Sequence, residues 1–471
     1  SFGGTGVSST VVTSTYSTAW NSPKIRDEHT TYALGQVGTQ RGGATHGAAQ
    51  AVKVLVLAKR LSHSPDNPWL TDDLVRSLAD RGYEVDTLLL DRTGYWVKGS
   101  HHYHSNAKVF VYSACTARSA LPGVTRLKMG WLWCRALLRM RRLVRRARYD
   151  LVINFSVATI FFGIPRIVKQ KNQEAKYLLI LWDFFPQHQV EIGKIRSRIA
   201  GKLLYMLEHR EVTDADYVGL MSPANVDYFR RYHGPHSGGT FVLPVWGTGC
   251  PNSRRNETEN SKNYEGAISE ARLTLVFGGQ LARGRGIMGI VDCLLARRSE
   301  LPEIELLILG DGELAPVLES KIMEDGTGIV KWLGQLPRSE YLELIRYADV
   351  GVVVTVPNVT VPTFPSKVID YLRVGLPVLA AVEESTDFGR IIEDDAQCGF
   401  SIPAGNCDDL IRAVRKLAML KSQGDLEALG VNAVRYFREV HETEKVVDRL
   451  VEYLGITDQP GLSSSHRSRM Q

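Results

Sequence analysis

The strongest constraint in this chain is a repeated exchange between short β-branched runs and helical patterns of about ten residues. Order begins at Val52-Lys53-Val54-Leu55-Val56-Leu57, a run of buried-strand type. A helical pattern follows from Thr71 to Arg81, Gly82 stops it, and Tyr83–Leu90 reads as a second strand. Further strand runs stand at Leu151-Val152-Ile153, Tyr177–Trp182 and Tyr217–Met221. Beyond a polar stretch at Asn252–Asn263, strands are expected at 273–277, 304–309, 329–333, 350–356, 377–382 and 399–402. Helices fall between them at about 286–298, 313–323, 338–348, 366–374 and 386–394. Strands joined by helices run parallel through right-handed crossovers, with helices on both faces of the sheet. The chain is therefore α/β, with two Rossmann-like, doubly wound domains facing a central cleft.

The expected boundaries follow composition. Residues 1–49, rich in Ser, Thr, Gly and Ala, read as a disordered extension, and 50–250 as the first domain. A linker spans 251–268, the second domain 269–430, and further helices 431–457 exceed what one sheet needs and are candidates to return to the first domain. Residues 458–471 read as a disordered tail. No apolar run reaches bilayer length: the longest, near Leu151–Ile164, is broken by Asn154, Ser156 and Gly163. The first fifty residues lack an apolar signal segment. The six cysteines contain no Cys-x-x-Cys pair, which argues against a zinc site or disulfide framework and for a reducing compartment. A cytoplasmic protein is expected.

A net charge of +6 says less than its distribution. Between Met129 and Arg148, Leu132, Trp133, Ala136, Leu137, Met140 and Val144 fall on one helical face. Seven arginines from Arg135 to Arg148 take the remainder, with no acidic residue among them. A solvated arginine face on a packed helix is one reading. A basic surface that docks peripherally on anionic lipid headgroups is the favoured one, because unneutralised arginines repel each other. No nucleic-acid recognition motif accompanies them.

The second half carries an ordered series of motifs. These are Phe277-Gly278-Gly279-Gln280-Leu281 with Arg285-Gly286, Leu307-Ile308-Leu309-Gly310-Asp311-Gly312, and Trp332-Leu333-Gly334-Gln335-Leu336-Pro337. Ala348-Asp349-Val350 and then Pro365-Ser366-Lys367, Asp370 and Gly375-Leu376-Pro377-Val378 complete it. The series resembles the retaining glycosyltransferases of family 4 (group 1), which have the GT-B fold. Its Pro-Ser-Lys variant resembles a subgroup that builds bacterial surface polysaccharides and glycolipids.

The resemblance implies transfer of a sugar from a nucleotide-diphosphate sugar to a hydroxyl of a lipid-linked or glycan acceptor, with retained anomeric configuration. Arg285, Ser366 and Lys367 would hold the diphosphate, and Gly279, Gln280 and Gly310 would lie along it. A Gly-rich strand-to-helix turn at 278–286 and a helix opening at Ser366 both suit an anion. Asp370 would take the ribose hydroxyls, and Leu336 would present backbone groups to the base. Asp183, in Leu181-Trp182-Asp183-Phe184-Phe185-Pro186, is the acceptor-side catalytic candidate. Lys367 is the second catalytic candidate, stabilising charge on the departing diphosphate. No metal and no other cofactor is expected, since no Asp-x-Asp pair accompanies the motifs.

The pattern departs from the family at named positions. Pro362 stands where the first of a usual pair of glutamates is found, and Asp370 where the second is. Gln280 and Arg285 replace the usual Arg and Lys. A nucleotide-sugar epimerase of the same architecture and a non-catalytic protein that binds sugar nucleotide or glycolipid are the alternatives, the latter motivated by Pro362. His101-His102-Tyr103-His104 is a metal candidate without an acidic neighbour in sequence, and His188 is a further catalytic candidate beside the Asp183 loop.

Overall fold

The computed structural model describes residues 51–62, 68–92, 94, 96–113, 122–249 and 272–456. The expected extension, linker and tail, and His63–Asn67 of the first loop, lie outside the described residues.

The first sheet comprises β1 (Lys53–Ala58), β2 (Glu84–Asp91), β3 (Gly99–His104), β4 (Ala107–Ser113), β5 (Leu151–Phe155), β6 (Lys176–Ile180), β7 (Tyr217–Leu220) and β8 (Gly239–Val242). Its order is β3-β4-β2-β1-β5-β6-β7-β8, parallel throughout except for the antiparallel edge strand β3. The second sheet holds β9 (Leu273–Gly278), β10 (Ile304–Leu309), β11 (Val330–Trp332), β12 (Val350–Val354), β13 (Val378–Val382) and β14 (Gly399–Pro403). Its order is β11-β10-β9-β12-β13-β14, all parallel. The chain leaves in opposite directions from β1 and β5, and again from β9 and β12. Each pair is a switch point, and the loops at its carboxyl end open a crevice.

Right-handed crossovers sort the helices by face. On one face of the first sheet lie α1 (Leu70–Asp80) and the last helix; on the other lie α2 (Pro122–Val144), α3 (Ile164–Lys171), α5 (Arg198–Asp214) and α6 (Pro223–His233). The short α4 (Gln187–Glu191) follows β6 at the cleft. The second sheet carries α7 (Ile287–Ala296), α8 (Ala315–Asp325), α9 (Arg338–Leu344), α10 (Val368–Arg373), α11 (Phe388–Arg390), α12 (Cys407–Gln423) and α13 (Leu426–Tyr436).

Helix α14 (Thr443–Leu454) crosses back to the first domain. Val446, Val447, Leu450 and Leu454 bury themselves against Leu74, Val75 and Leu78 of α1 and the strands beneath. Arg81 clamps its outer side, reaching Glu444 at 2.5 Å and Asp448 at 2.6 Å. The crossing itself is tied at Gly247, whose amide donates to the His441 carbonyl at 2.9 Å. His441 is fully buried there, and burial pushes its imidazole down to about 3.

One expectation needs correction. Cys293 of α7 and Cys407 at the start of α12 form a disulfide with a Cα–Cα separation of 5.7 Å. The two helices lie side by side although 114 residues separate the cysteines, a proximity that local spacing cannot reveal. The bridge removes the cysteine argument for a reducing compartment. His101 and His104, in turn, belong to edge strand β3, where they bond the Val97 carbonyl at 2.7 Å and Asp80 at 2.8 Å. No metal-binding cluster of His, Cys, Asp or Glu occurs among the described residues.

Because α14 completes the core of a domain that began 390 residues earlier in sequence, its packing is a test of the architecture. Leu450→Ala should lower stability by about 3 kcal/mol in urea unfolding, as for a buried leucine left facing a cavity. It should loosen the first domain's transition rather than the second's.

Candidate active site

The switch-point loops deliver charge into the cleft. Lys59 follows β1, Asp183 follows β6, and Arg285 follows β9. Ser156, just after β5, shapes the Asp183 loop: its hydroxyl accepts from the amides of Trp182 at 2.6 Å and Asp183 at 3.2 Å. The same hydroxyl donates to the Ile180 carbonyl at 3.1 Å.

Asp183 and Arg285 are densely surrounded by protein yet only half-covered, and the Lys59 ammonium nitrogen is buried. Burial pushes the Asp183 carboxyl up to about 7, against the attraction of Lys59 and then Arg285. Burial likewise pushes the Lys59 ammonium down to about 7, against Asp183 and Glu208. Arg285 is lowered by burial and supported by Asp183. Asp183 of the first domain and Arg285 of the second thus interact across the cleft. His188 joins the group, its imidazole pushed down to about 4 by burial and then by Arg285.

Further contacts fix the two walls against each other. Glu191 at the end of α4 accepts from the Thr360 hydroxyl at 2.5 Å, the Thr360 amide at 3.0 Å and the Val361 amide at 3.3 Å. Asn225 donates its side-chain amide to the Pro362 carbonyl at 2.9 Å, and the Ala224 amide donates to Asp387 at 2.9 Å. Pro362, the position lacking a glutamate, therefore meets the first domain through its backbone.

The second charge group lies in the second domain alone. Asp370 is buried and held by both guanidinium nitrogens of Arg338, at 2.6 and 2.5 Å. Burial acts to raise its carboxyl, but Arg338 and then Lys367 outweigh it and hold the group below the usual carboxylate range. The Lys367 ammonium stands 5.1 Å from the centre of the Tyr341 ring and keeps solvent-exposed surface in a crowded wall. Burial and Arg338 lower its pKa; Asp370 opposes them.

Several sequence expectations change here. Helix α10 begins at Val368 rather than at Ser366, and it has six residues. Ser366 and Lys367 form a tight turn before it, their carbonyls taking the amides of Ile369 and Asp370 at 3.1 and 3.0 Å. Asp370 is engaged at both oxygens by Arg338. The glycine turn is not a row of open amides. The amides of Gly278, Gly279, Leu281, Arg283 and Arg285 donate to Tyr371, Leu309, Asp311, Glu313 and Ala282.

The glycines serve close approach between loops. A Cβ at Gly310 would lie 1.8 Å from the Gly279 carbonyl oxygen, and one at Gly286 would lie 2.2 Å from that of Thr355. Gln280 is half-buried between these loops. The Gly310 amide donates to the Gly334 carbonyl at 2.7 Å, which seats the 333–337 segment, and Leu336 packs its side chain on the second core. Lys59 and Arg338 were absent from the sequence reading, because neither lies in the motif series and their partners are distant in sequence.

The family model for a Glycosyl transferase 4-like domain matches residues 70–246, and that for Glycosyl transferases group 1 matches residues 272–419. The chain belongs to this glycosyltransferase family. A probable glycosyltransferase, WbjE of Pseudomonas aeruginosa, is 26% identical over 269 residues, covering 54% of this chain and 62% of that relative. The chain thus spans less than two thirds of that relative's length. Sucrose-phosphate synthase from Thermosynechococcus elongatus has a TM-score of 0.65 at 16% identity, over 86% of this chain and 98% of that one. HepE of Anabaena, solved in complex with UDP-glucose, has a TM-score of 0.59 at 14% identity, over 86% and 100%. These likenesses establish the GT-B fold for this glycosyltransferase.

The Arg338–Asp370 pair gives a direct check. Arg338→Ala leaves a buried carboxylate without its main partner and should cost about 3 kcal/mol of stability at neutral pH. Asp370 has a depressed folded pKa, so the stability it contributes is present above its unfolded value near 4 and lost as pH falls through the folded value. The variant's deficit, followed by thermal unfolding from pH 7 downward, should therefore shrink in acid.

Proposed function

We propose that this glycosyltransferase moves a glycosyl unit from a nucleotide-diphosphate sugar to a hydroxyl of a lipid-linked glycan, with retained anomeric configuration, in bacterial polysaccharide or glycolipid synthesis. The observation that carries the reading is Asp183 facing Arg285 across the cleft, an acceptor-side base beside a donor-side cation. A nucleotide sugar as donor is supported by the family and by the UDP-glucose in HepE. Retention rests on the family resemblance.

In this reading Arg285, Lys367 and the Ser366 hydroxyl hold the diphosphate. The bond between the sugar's anomeric carbon and the phosphate oxygen breaks, and its electron pair stays on the diphosphate. Arg285 and Lys367 would stabilise that charge as it grows, cations already in position contributing most. The reading invokes no metal ion. The acceptor hydroxyl forms the new bond to the anomeric carbon and gives its proton to Asp183. A carboxylate near 7 is suited to that role, being ionised often enough to accept and basic enough to pull. Asp370 retains lone pairs for the ribose hydroxyls while Arg338 fixes its plane.

The acceptor side is read from helix α2. Ala136, Leu137, Met140 and Val144 anchor it to the first sheet, leaving Arg139, Arg142, Arg145 and Arg146 exposed. That face would draw the enzyme to anionic lipid on the cytoplasmic side, where a lipid-linked acceptor resides. No helix among the described residues is long and apolar enough to cross a membrane.

Two measurements test this. With a panel of nucleotide sugars and a prenyl-diphosphate-linked acceptor, Lys367→Ala should lower kcat/KM by about 100-fold; undiminished transfer removes the diphosphate role. The parent's kcat/KM should rise with pH through about 7 as Asp183 ionises. Lys59→Met should move that limb to higher pH, because removing a neighbouring cation raises the carboxyl further. A limb that stays in place excludes Asp183 as the titrating base.

A further inference from the structure

Helix α5 is inside out. Glu208 and Glu211 are 0% and 1% exposed, whereas Ile199, Leu203 and Met206 on its opposite side are 76%, 56% and 64% exposed. Against water this arrangement is unfavourable twice over, since ionisable groups lose hydration while large apolar side chains keep it. The buried side has a task. Glu211 accepts the Gly163 amide at 2.9 Å, and Glu208 supports the Lys59 ammonium electrostatically. The outer side has no such account within the chain.

The surroundings of this stripe are cationic. From Lys194 to Leu207 the sequence holds Arg196, Arg198 and Lys202 and no acidic residue, and Arg210 lies one turn further along the stripe. Helix α2 contributes exposed Leu127 and Trp131, with the Arg135 guanidinium 5.2 Å from the Trp131 ring centre. Both helices flank the 158–163 turn: Trp133 donates to the Ile160 carbonyl at 2.9 Å and Arg141 to that of Phe162 at 2.7 Å, beside Gly163. Each helix follows a strand of the parallel sheet. Leu127, Trp131, Ile199 and Leu203 therefore occupy the ends of the helices nearer the strands' carboxyl edge, where the cleft opens.

We propose that the outer stripe of α5, with Trp131 of α2, inserts into the interfacial layer of an anionic bilayer. This rests on the membrane reading of α2 and adds to it a hydrophobic anchor distinct from the arginine face. Apolar side chains enter the acyl boundary while the long Lys and Arg chains reach back to headgroup phosphates. A second copy of this chain docking through the same face would set one basic surface against another, so charge favours lipid. The insertion would hold the cleft mouth at the depth of a lipid-linked diphosphate.

The test uses the full chain and vesicles of phosphatidylglycerol and phosphatidylcholine, without nucleotide sugar. Parent protein should co-sediment at low salt and keep a bound fraction at high salt. Combined Ile199→Ser, Leu203→Ser and Met206→Ser should weaken partition about tenfold and abolish the salt-resistant fraction. Circular dichroism, melting temperature and transfer to a water-soluble acceptor should be unchanged. Leu203→Trp should strengthen partition, while Arg139→Gln with Arg142→Gln should weaken only low-salt binding. Parent-like partition of the triple variant, or no binding by the parent, overturns the proposal. So does a parent dimer that the triple variant converts to monomer, which assigns the stripe to a second copy. Vesicle binding without any transfer activity leaves the anchor standing and removes the catalytic reading instead.

Discussion

Charge held where the two domains meet, against the pressure of burial, is the constraint around which this molecule is arranged. Asp183, Lys59 and Arg285 come from both domains, and none is comfortable alone: burial pushes each toward its neutral form, and mutual attraction pushes back. That balance depends on position to within a few ångströms. Glu191 pinning Thr360 and Val361, Asn225 pinning Pro362, and α14 crossing back to α1 all serve to set that position. These contacts tie the two domains to each other.

Much of the fold was legible because a parallel sheet buried on both faces writes itself as β-branched runs at regular intervals. All six strands of the second sheet fall within two residues of their expected bounds. The β3–β4 hairpin escaped notice because edge strand β3, Gly99–His104, is polar and half-exposed, and no alternation marks it. Helix α10 was read two residues too early because Pro365-Ser366-Lys367 has the composition of a helix start while its backbone makes a turn. The Cys293–Cys407 bridge was invisible for a different reason, being a consequence of which helices the topology makes neighbours.

The site was legible in its motif residues and not in their partners. Asp183 and Arg285 interact electrostatically while Lys367 stands with Asp370 and Arg338, and the surroundings of each depend on residues outside the motifs. Arg338 pairs with both oxygens of Asp370, and Lys59 contributes to the charge Asp183 feels. The glycines illustrate the same limit. Gly279, Gly286 and Gly310 read as a phosphate cradle, yet a Cβ at Gly286 or Gly310 would strike a neighbouring loop's backbone carbonyl and one at Gly279 the Phe277 ring. Glycine there permits the loops to stack, and the stacking places the cations.

Helix α5 joins the two ends of this account. Its inner glutamates belong to the electrostatics of the cleft: Glu208 acts on Lys59, and Lys59 acts on Asp183. Its outer residues face away from the protein and are apolar. A helix that must keep carboxylates inward can be amphipathic only by turning its apolar side outward, and water is a poor environment for that side. In the proposed reading, the side-chain pattern that places Glu208 beside Lys59 also leaves a surface suited to lipid.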